Sequence, residues 1–344
     1  MAFYDGIFKT LGLEDWCGEA GSGAPLSMAD LMAQAGGGDG ADSGPFFPFP
    51  SLDNLNESCA SIAQSRDVTK GIEDGFLAAK PALKAVLDPI TQPLSWMLDG
   101  ALWLFEATPW FIMIPILVAI SWYASKSRPV TIFVAISILI LALVDHYDVA
   151  MQTLSIIFVC TTISVVLGVP IGIAMSKSDR LQRMTVPVLD LLQTLPTFVY
   201  LIPLIFLFSV TESKLYGIAI ILYAIVPVIR LTDLGIRLVD KDVIEAANAF
   251  GMNSNQKLLR VELPLALPNI MAGVNQTIMM SLAMVVIASL VSAPGLGVNV
   301  LRGIRNLELG VGIVAGVGIV LLAVILDRVS KAALSRVDMT NMKH

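Results

Sequence analysis

The chain has 344 residues, 56% apolar and only 15% charged, with a mean hydropathy of +0.76 and a formal net charge of −6. A soluble domain carries roughly a quarter charged residues and a membrane-crossing helix uses ~20 apolar ones, so this composition describes about six to eight spans rather than a soluble enzyme. Two histidines and three cysteines are too few for most zinc, haem or iron–sulfur sites, no Gly-Lys pair exists to build a Walker A loop, and the negative balance argues against nucleic acid.

Residues 1–90 hold 13 Asp/Glu against 5 Lys/Arg, a net of −8, while the remainder holds 15 against 17, a net of +2. This first segment, with its Gly36–Gly40 and Pro45–Pro50 runs, reads as an acidic extracytoplasmic tail with short helical pieces near Ser27–Gln34 and Thr69–Ala85. It lacks the basic start, apolar stretch and small-residue cleavage site of a secretory signal. Residues 91–107 are apolar but brief, and Asp99 and Glu106 alternate there with Trp96 and Trp103. An amphipathic helix lying in the membrane interface fits that pattern better than a span. Apolar blocks then predict seven spans at 109–124, 129–145, 149–175, 186–209, 216–237, 266–291 and 310–328. The first two form an accessory pair in 108–145, and the others fall in a core of 146–337.

Orientation follows from the basic residues. Alternate connections hold 13 Lys/Arg in one set, from Lys126 and Arg128 to Lys343, and three in the other, Lys214, Arg302 and Arg305. The richer set is cytoplasmic, which puts the C-terminus inside and the acidic tail outside. Cys17 and Cys59 then share an oxidising compartment, where a disulfide and two free thiols both remain open.

The longest cytoplasmic connection, 240–264, is the most informative. Asp242 can cap a helix, with Glu245 three residues on, and Val243, Ala246, Ala247 and Phe250 fall at i, i+3, i+4 and i+7 on one apolar face. Gly251 suits the left-handed residue that ends such a helix. A second helix can run from Ser254 to Glu262, limited by Pro264. The product is a helix–turn–helix along the membrane whose exposed face invites a partner protein. Glu245-Ala246-Ala247, three residues, Gly251, nine residues, then Val261-Glu-Leu263-Pro264 resembles the "EAA" signature of permease subunits in ABC importers; Val261 stands where that family usually has isoleucine.

The resemblance extends to Gln193–Pro203, Ile270–Met279, Ala283–Ser289 and Val300–Ile304, which look like the permease of the glycine betaine/proline betaine importer family. It is close over roughly 145–330 and loose over 1–90. It implies an all-α polytopic membrane protein with the type I ABC importer permease fold, its 240–264 helices seated in a groove of a separate ATPase. It further implies a homodimer and an external substrate-binding protein, and places ATP and Mg on the partner ATPase, with no cofactor in this chain. The substrates so implied are glycine betaine, proline betaine, choline, carnitine or trimethylamine N-oxide.

Polar groups inside a membrane are costly and tend to line a pathway. Gln193, Thr194, Asn275, Gln276 and Thr277 are such groups, beside the Pro196 and Pro203 kinks. A neutral lining suits a zwitterion of zero net charge, although such amides also serve helix packing. Phe198 and Tyr200 can offer a transient contact to a quaternary ammonium, and Met279 completes the candidate pathway set. All five tryptophans precede the 145–330 core, so no strong aromatic cage is visible, which argues that substrate is selected on another polypeptide. The apolar stripe Met279, Met280 and Met284 reads as packing, and Arg230 as a snorkelling side chain. No residue is assigned to covalent catalysis or to a metal. An ABC permease for an amino acid or other small polar solute is the first alternative. An ion-coupled transporter is the second; it predicts inverted repeats and charged midplane residues, and neither is evident.

Overall fold

The computed structural model describes residues 10–11 and 65–341. The expected helical piece at 27–34, the Gly and Pro runs and the Cys17/Cys59 question lie outside the described residues. The chain divides into two units, Met1–Ala82 and Leu83–His344. In the first, the described residues apart from 10–11 begin helix α1 (Ser65–Ala107), with mostly exposed side chains over 68–82; the expected piece at 69–85 falls in this helix. The second unit holds everything below.

After Pro109 come α2 (Trp110–Ser125) and α3 (Arg128–Leu143), then α4 (Tyr147–Lys177) and α5 (Asp179–Thr194). A short α6 (Leu201–Leu207) leads to α7 (Ser213–Arg237), α8 (Lys241–Ala249) and α9 (Ser254–Lys257). A π turn, Leu258–Glu262, runs into α10 (Leu263–Ala288), followed by α11 (Leu296–Arg305) and α12 (Leu309–Asn341). No strand occurs among the described residues.

Among the described residues, four helices are long and apolar enough to cross a membrane: α4, α7, the continuous helix Ser254–Val291 and Leu309–Ala333 of α12. A fifth span is reached if α1 and α2, which meet at a 114° bend, count as one. The seven expected spans are therefore not all present as such. The block expected at 186–209 is broken: α5 ends at Leu195, whose extended backbone is the one a following proline requires, and only seven helical residues follow in α6. Asp179, Arg180, Gln182, Arg183 and Asp190 also make α5 too polar to cross alone. Helices α2 and α3, at 16 residues each, extend about 24 Å, short of a ~30 Å hydrocarbon core.

The bundle is organised around α7. Gly168 and Gly172 of α4 meet α7 at Val228 and Thr232, so the two run parallel, while α10 runs antiparallel with Gly273 against Val228 and Leu231. A Cβ at Gly172 would stand 2.6 Å from the Thr232 Cβ and 2.7 Å from the Ile229 carbonyl oxygen, so only glycine allows this approach. Small hydroxyl residues join the seam, with Thr161 donating to Ser281 at 3.1 Å. Helices α2, α3 and α12 with the start of α4 build a second apolar cluster around Met113, Ile138, Leu141, Met151 and Leu322. The 292–309 connection, between the blocks expected at 266–291 and 310–328, contains α11, held to α4 by the Leu296 amide donating to Thr153 Oγ1 at 2.9 Å.

Candidate functional site: the coupling loop and the α5–α10 face

Helix α8 begins two residues earlier than a cap at Asp242 would have it. Asp240 is the N-cap, its carboxylate accepting from the Asp242 amide at 2.9 Å, and Asp242 sits in the first turn where negative charge meets the helix dipole. Gly251 takes the left-handed conformation (φ 73°), and the Met252 amide donates back to the Ala247 carbonyl at 3.1 Å. Of the apolar face, only Ala247 is buried; Phe250 is 85% exposed, and Glu245, Ala246 and Gly251 are exposed too. The Phe250 ring thus stands bare at the end of a well-capped helix.

The returning limb starts with an Asn253–Gln256 capping box, the Asn253 amide donating to Gln256 Oε1 at 3.1 Å and the Gln256 amide to Asn253 Oδ1 at 2.8 Å. Lys257 Nζ donates to Asn248 Oδ1 at 3.0 Å, bracing α9 against α8. Pro264 does not stop the helix. It occupies the first turn of α10, just after the π turn, where its missing N–H goes unused, so α9 and α10 form one continuous rod. Leu263 packs on the Ile236, Ala266 and Ile270 cluster, which seats this limb against α7.

The expected pathway residues divide between two faces of α10. Gln193 Nε2 lies 3.9 Å from Met280 Sδ, and the Tyr200 hydroxyl 3.8 Å from Met284 Sδ. Gln276, Met280 and Met284 follow at four-residue spacing, so the end of α5, the turn at Pro196 and this stripe form one surface. Gln193, Thr194, Pro196, Phe198 and Gln276 are exposed on it, and Tyr200 is half-buried. Asn275 instead accepts from Ser330 of α12, and Met279 lies one turn further along. Thr277 is fully buried.

Sequence reasoning missed how α5 is attached. Asp179 pairs with Arg237 at 2.7 Å, Gln182 donates to Asp233 at 2.7 Å, and Asp190 pairs with Arg230. Leu189 packs beside them against Met175, Val226 and Ile229. Arg230 therefore has a carboxylate partner and is not simply snorkelling. Both Lys177 and Glu262, at the same end of the bundle, pair with each other. The only signal available was the unexplained charge at 179–190 in an otherwise apolar region.

At the opposite end, the 84–106 stretch of α1 is polar where it meets the bundle. Lys214, 3% exposed, pairs with Asp88 at 2.7 Å and Glu212 at 2.8 Å and stands 5.2 Å from the Phe208 ring centroid. Asp99 accepts from Ser213, and Glu106 accepts from Gln152 at 2.7 Å. These contacts carry α1 across the first turns of α7 and α4, with Trp96 and Trp103 exposed.

Comparison with known proteins gives this arrangement its class. The family described as "binding-protein-dependent transport system inner membrane component" matches residues 164–338, about half the chain. The glycine betaine transport system permease protein OpuAB of Bacillus subtilis is 41% identical over 245 residues, covering 71% of this chain and 86% of that protein. The glycine betaine/proline betaine transport system permease protein ProW of Escherichia coli is 38% identical over 300 residues, covering 86% and 83%. A solved structure of the MetNI methionine ABC transporter in inward-facing conformations aligns with a TM-score of 0.50 at 20% identity, over 61% of this chain and 99% of that one, a likeness of fold. The chain belongs to the inner-membrane permease family of binding-protein-dependent ABC importers, and within it groups with the glycine betaine/proline betaine-type permeases. It is a multi-pass membrane protein with the type I importer permease fold.

Proposed function

We propose that this chain is the permease subunit of an ATP-driven importer that carries a quaternary or methylated amine osmolyte, glycine betaine or a close analogue, into the cytoplasm. The observation that carries the reading is helix α8: its signature residues Glu245, Ala246 and Gly251 are exposed beside the bare Phe250 ring, on a short helix joined to two membrane-crossing helices. An ATPase seated there closes on ATP and displaces α8. Leu263 and Pro264 begin the α10 rod that receives the displacement. The chain performs no covalent chemistry; ATP and Mg belong to the ATPase, and an external binding protein selects the amine.

The pathway runs along the α5–α10 surface. Gln193, Thr194 and Gln276 are exposed at membrane depth in a single copy, where acyl chains would strand their amides and hydroxyl. A second copy facing this surface turns it into an aqueous route, which supports a homodimer. Neutral donors and acceptors can pass a zwitterion without holding it, as transport requires. Asn275, Thr277 and Met279 take supporting places on α10. The bias of the basic loops supports an orientation with α8 and the C-terminus in the cytoplasm of a bacterial plasma membrane and the acidic tail outside. On that orientation the 84–106 stretch of α1 lies in the outer interface, its tryptophans among the headgroups.

The test is ATP-dependent uptake of labelled glycine betaine into proteoliposomes holding this permease, its ATPase and its binding protein. Uptake is expected in the parent and lost in Glu245→Lys and in Gly251→Pro; intact assembly and uptake in both variants would refute the coupling role. Calorimetric titration of the binding protein with glycine betaine, choline, carnitine and trimethylamine N-oxide checks the cargo. An amino-acid ligand with no response to any amine overturns the substrate class.

A further inference from the structure

Both limbs of the coupling loop end on the same short elbow. The outgoing limb is the end of α7, where Arg237 donates from Nη1 to Asp179 Oδ1 at 2.7 Å, from Nε to Asp233 Oδ1 at 2.9 Å and from Nη2 to the Met175 carbonyl at 2.8 Å. The returning limb is the π turn Leu258–Glu262, whose last residue pairs with Lys177. Lys177 closes α4, Ser178 caps α5 by accepting from the Leu181 amide, and Asp179 opens α5. One elbow of three residues thus holds both limbs, and the helix leaving it ends at Gln193 and Thr194 on the pathway face.

The two attachments differ in kind. The Glu262 side chain is 6% exposed, and a carboxylate so placed is costly unless a cation answers it; Lys177 is its charged partner among the described residues. Asp179 is 75% exposed, so its pair with Arg237 is weak taken alone and gains from the two further bonds the same guanidinium makes. A π turn at the root of the buried pair is an irregularity of the sort that recurs at working sites. Helix α5 continues the line with two more polar rungs to α7, Gln182 to Asp233 and Arg230 to Asp190. Nothing in the 178–194 segment crosses the membrane by itself, so α5 goes where the elbow and these rungs take it.

We infer that the Lys177–Asp179 elbow is the joint that passes displacement of α8 to α5 and so to the pathway face, with Lys177 and Glu262 as positioning residues on one limb and Arg237 and Asp179 on the other. This rests on the permease reading, and it names the mechanical route that reading leaves open.

The experiment measures uptake and ATP hydrolysis on the same proteoliposomes of the complete transporter. It compares the parent with Lys177→Met, Glu262→Gln and the exchange Lys177→Glu/Glu262→Lys. Both single variants are expected to assemble and hydrolyse ATP while amine moved per ATP falls about tenfold, and the exchange to recover more than half of the loss. A parental ratio in both single variants overturns the inference. So does uptake that falls only in step with assembled complex, because that is a pair that merely holds the fold. If the exchange does not assemble, Asp179→Asn and Arg237→Lys carry the test: a lowered ratio supports the joint, and a parental ratio overturns it. A parent that hydrolyses ATP yet moves no amine fails the permease reading itself, and that outcome is seen before any variant is compared.

Discussion

Glu212 shows what a single side chain contributes here. It lies in the connection before α7, between Lys214 at 2.8 Å and Lys84 at 3.7 Å. Its interaction with Lys214 holds its carboxyl below the ordinary value, against partial burial and the nearby Asp88 charge, which push the other way. A group whose folded pKa is depressed stabilises the fold at neutral pH and loses that contribution as pH falls through the folded value. Thermal melts of the purified protein are therefore expected to fall on acidification below the ordinary carboxylate range, with a shallower fall in Glu212→Gln. An identical slope in the variant would remove Glu212 from the account. The sequence marked Lys214 only as one of three basic residues on the poorer side; that it is buried between two carboxylates depends on Asp88, 126 residues away. Gly172 is a second residue-scale case, since a side chain there collides with Thr232 and the Ile229 carbonyl. Gly172→Leu is expected to cost about 1–3 kcal/mol or more by forcing α4 from α7, read as a lowered melting temperature.

Among the elements, the two that sequence patterns described best are α8 and α4, and the one they described worst is α5. Helix α8 is short and its determinants are local: a capping carboxylate, an i, i+3, i+4, i+7 face, and a glycine at the left-handed end. Its cap moved from Asp242 to Asp240 because both are acidic and only backbone geometry chooses between them. For α5, apolarity at 186–209 predicts one span kinked at Pro196, and the structure has a break there. The charged first half of α5 makes sense only beside α7, which supplies Arg237, Asp233 and Arg230 at matching heights. Another element-scale consequence concerns α11. The Leu296 amide has Thr153 Oγ1 as its acceptor at 2.9 Å in a buried setting. Thr153→Val keeps the shape and strands that amide, with an expected loss of about 1–3 kcal/mol measured by thermal or denaturant unfolding; a neutral outcome would mean another acceptor takes over.

For the molecule as a whole, the proposed homodimer and pathway both turn on the α5–α10 surface. Gln193, Thr194 and Gln276 are exposed on the α5–α10 surface, whereas Val320, 59% exposed, lies on the apolar helix α12. In a dimer built on the α5–α10 face the first set borders water and Val320 borders lipid. In a background with Cys17 and Cys59 replaced by serine, Thr194→Cys and Gln276→Cys are expected to react with a water-soluble thiol reagent in the assembled transporter. Val320→Cys should not react, and the native Cys160, fully buried, should stay silent. Equal reactivity at Val320 and Gln276 would contradict this placement of the pathway.

Much of this protein was legible in residue order alone. Apolar blocks, the bias of basic loops and the Glu245–Pro264 spacing are written over short stretches, because transfer into a membrane, capping and helical periodicity act between near neighbours. Those stretches sufficed for an all-helical membrane protein and for the loop on which its working class rests. What only the tertiary structure decided is which partner each polar group meets. Asn275 turns to Ser330 while Gln276, one residue on, is exposed beside the α5 end; Glu262 finds Lys177; and α1 reaches over the ends of α4 and α7. These choices depend on how closely distant helices approach and at what height, quantities set by packing at positions such as Gly172 rather than by any local pattern.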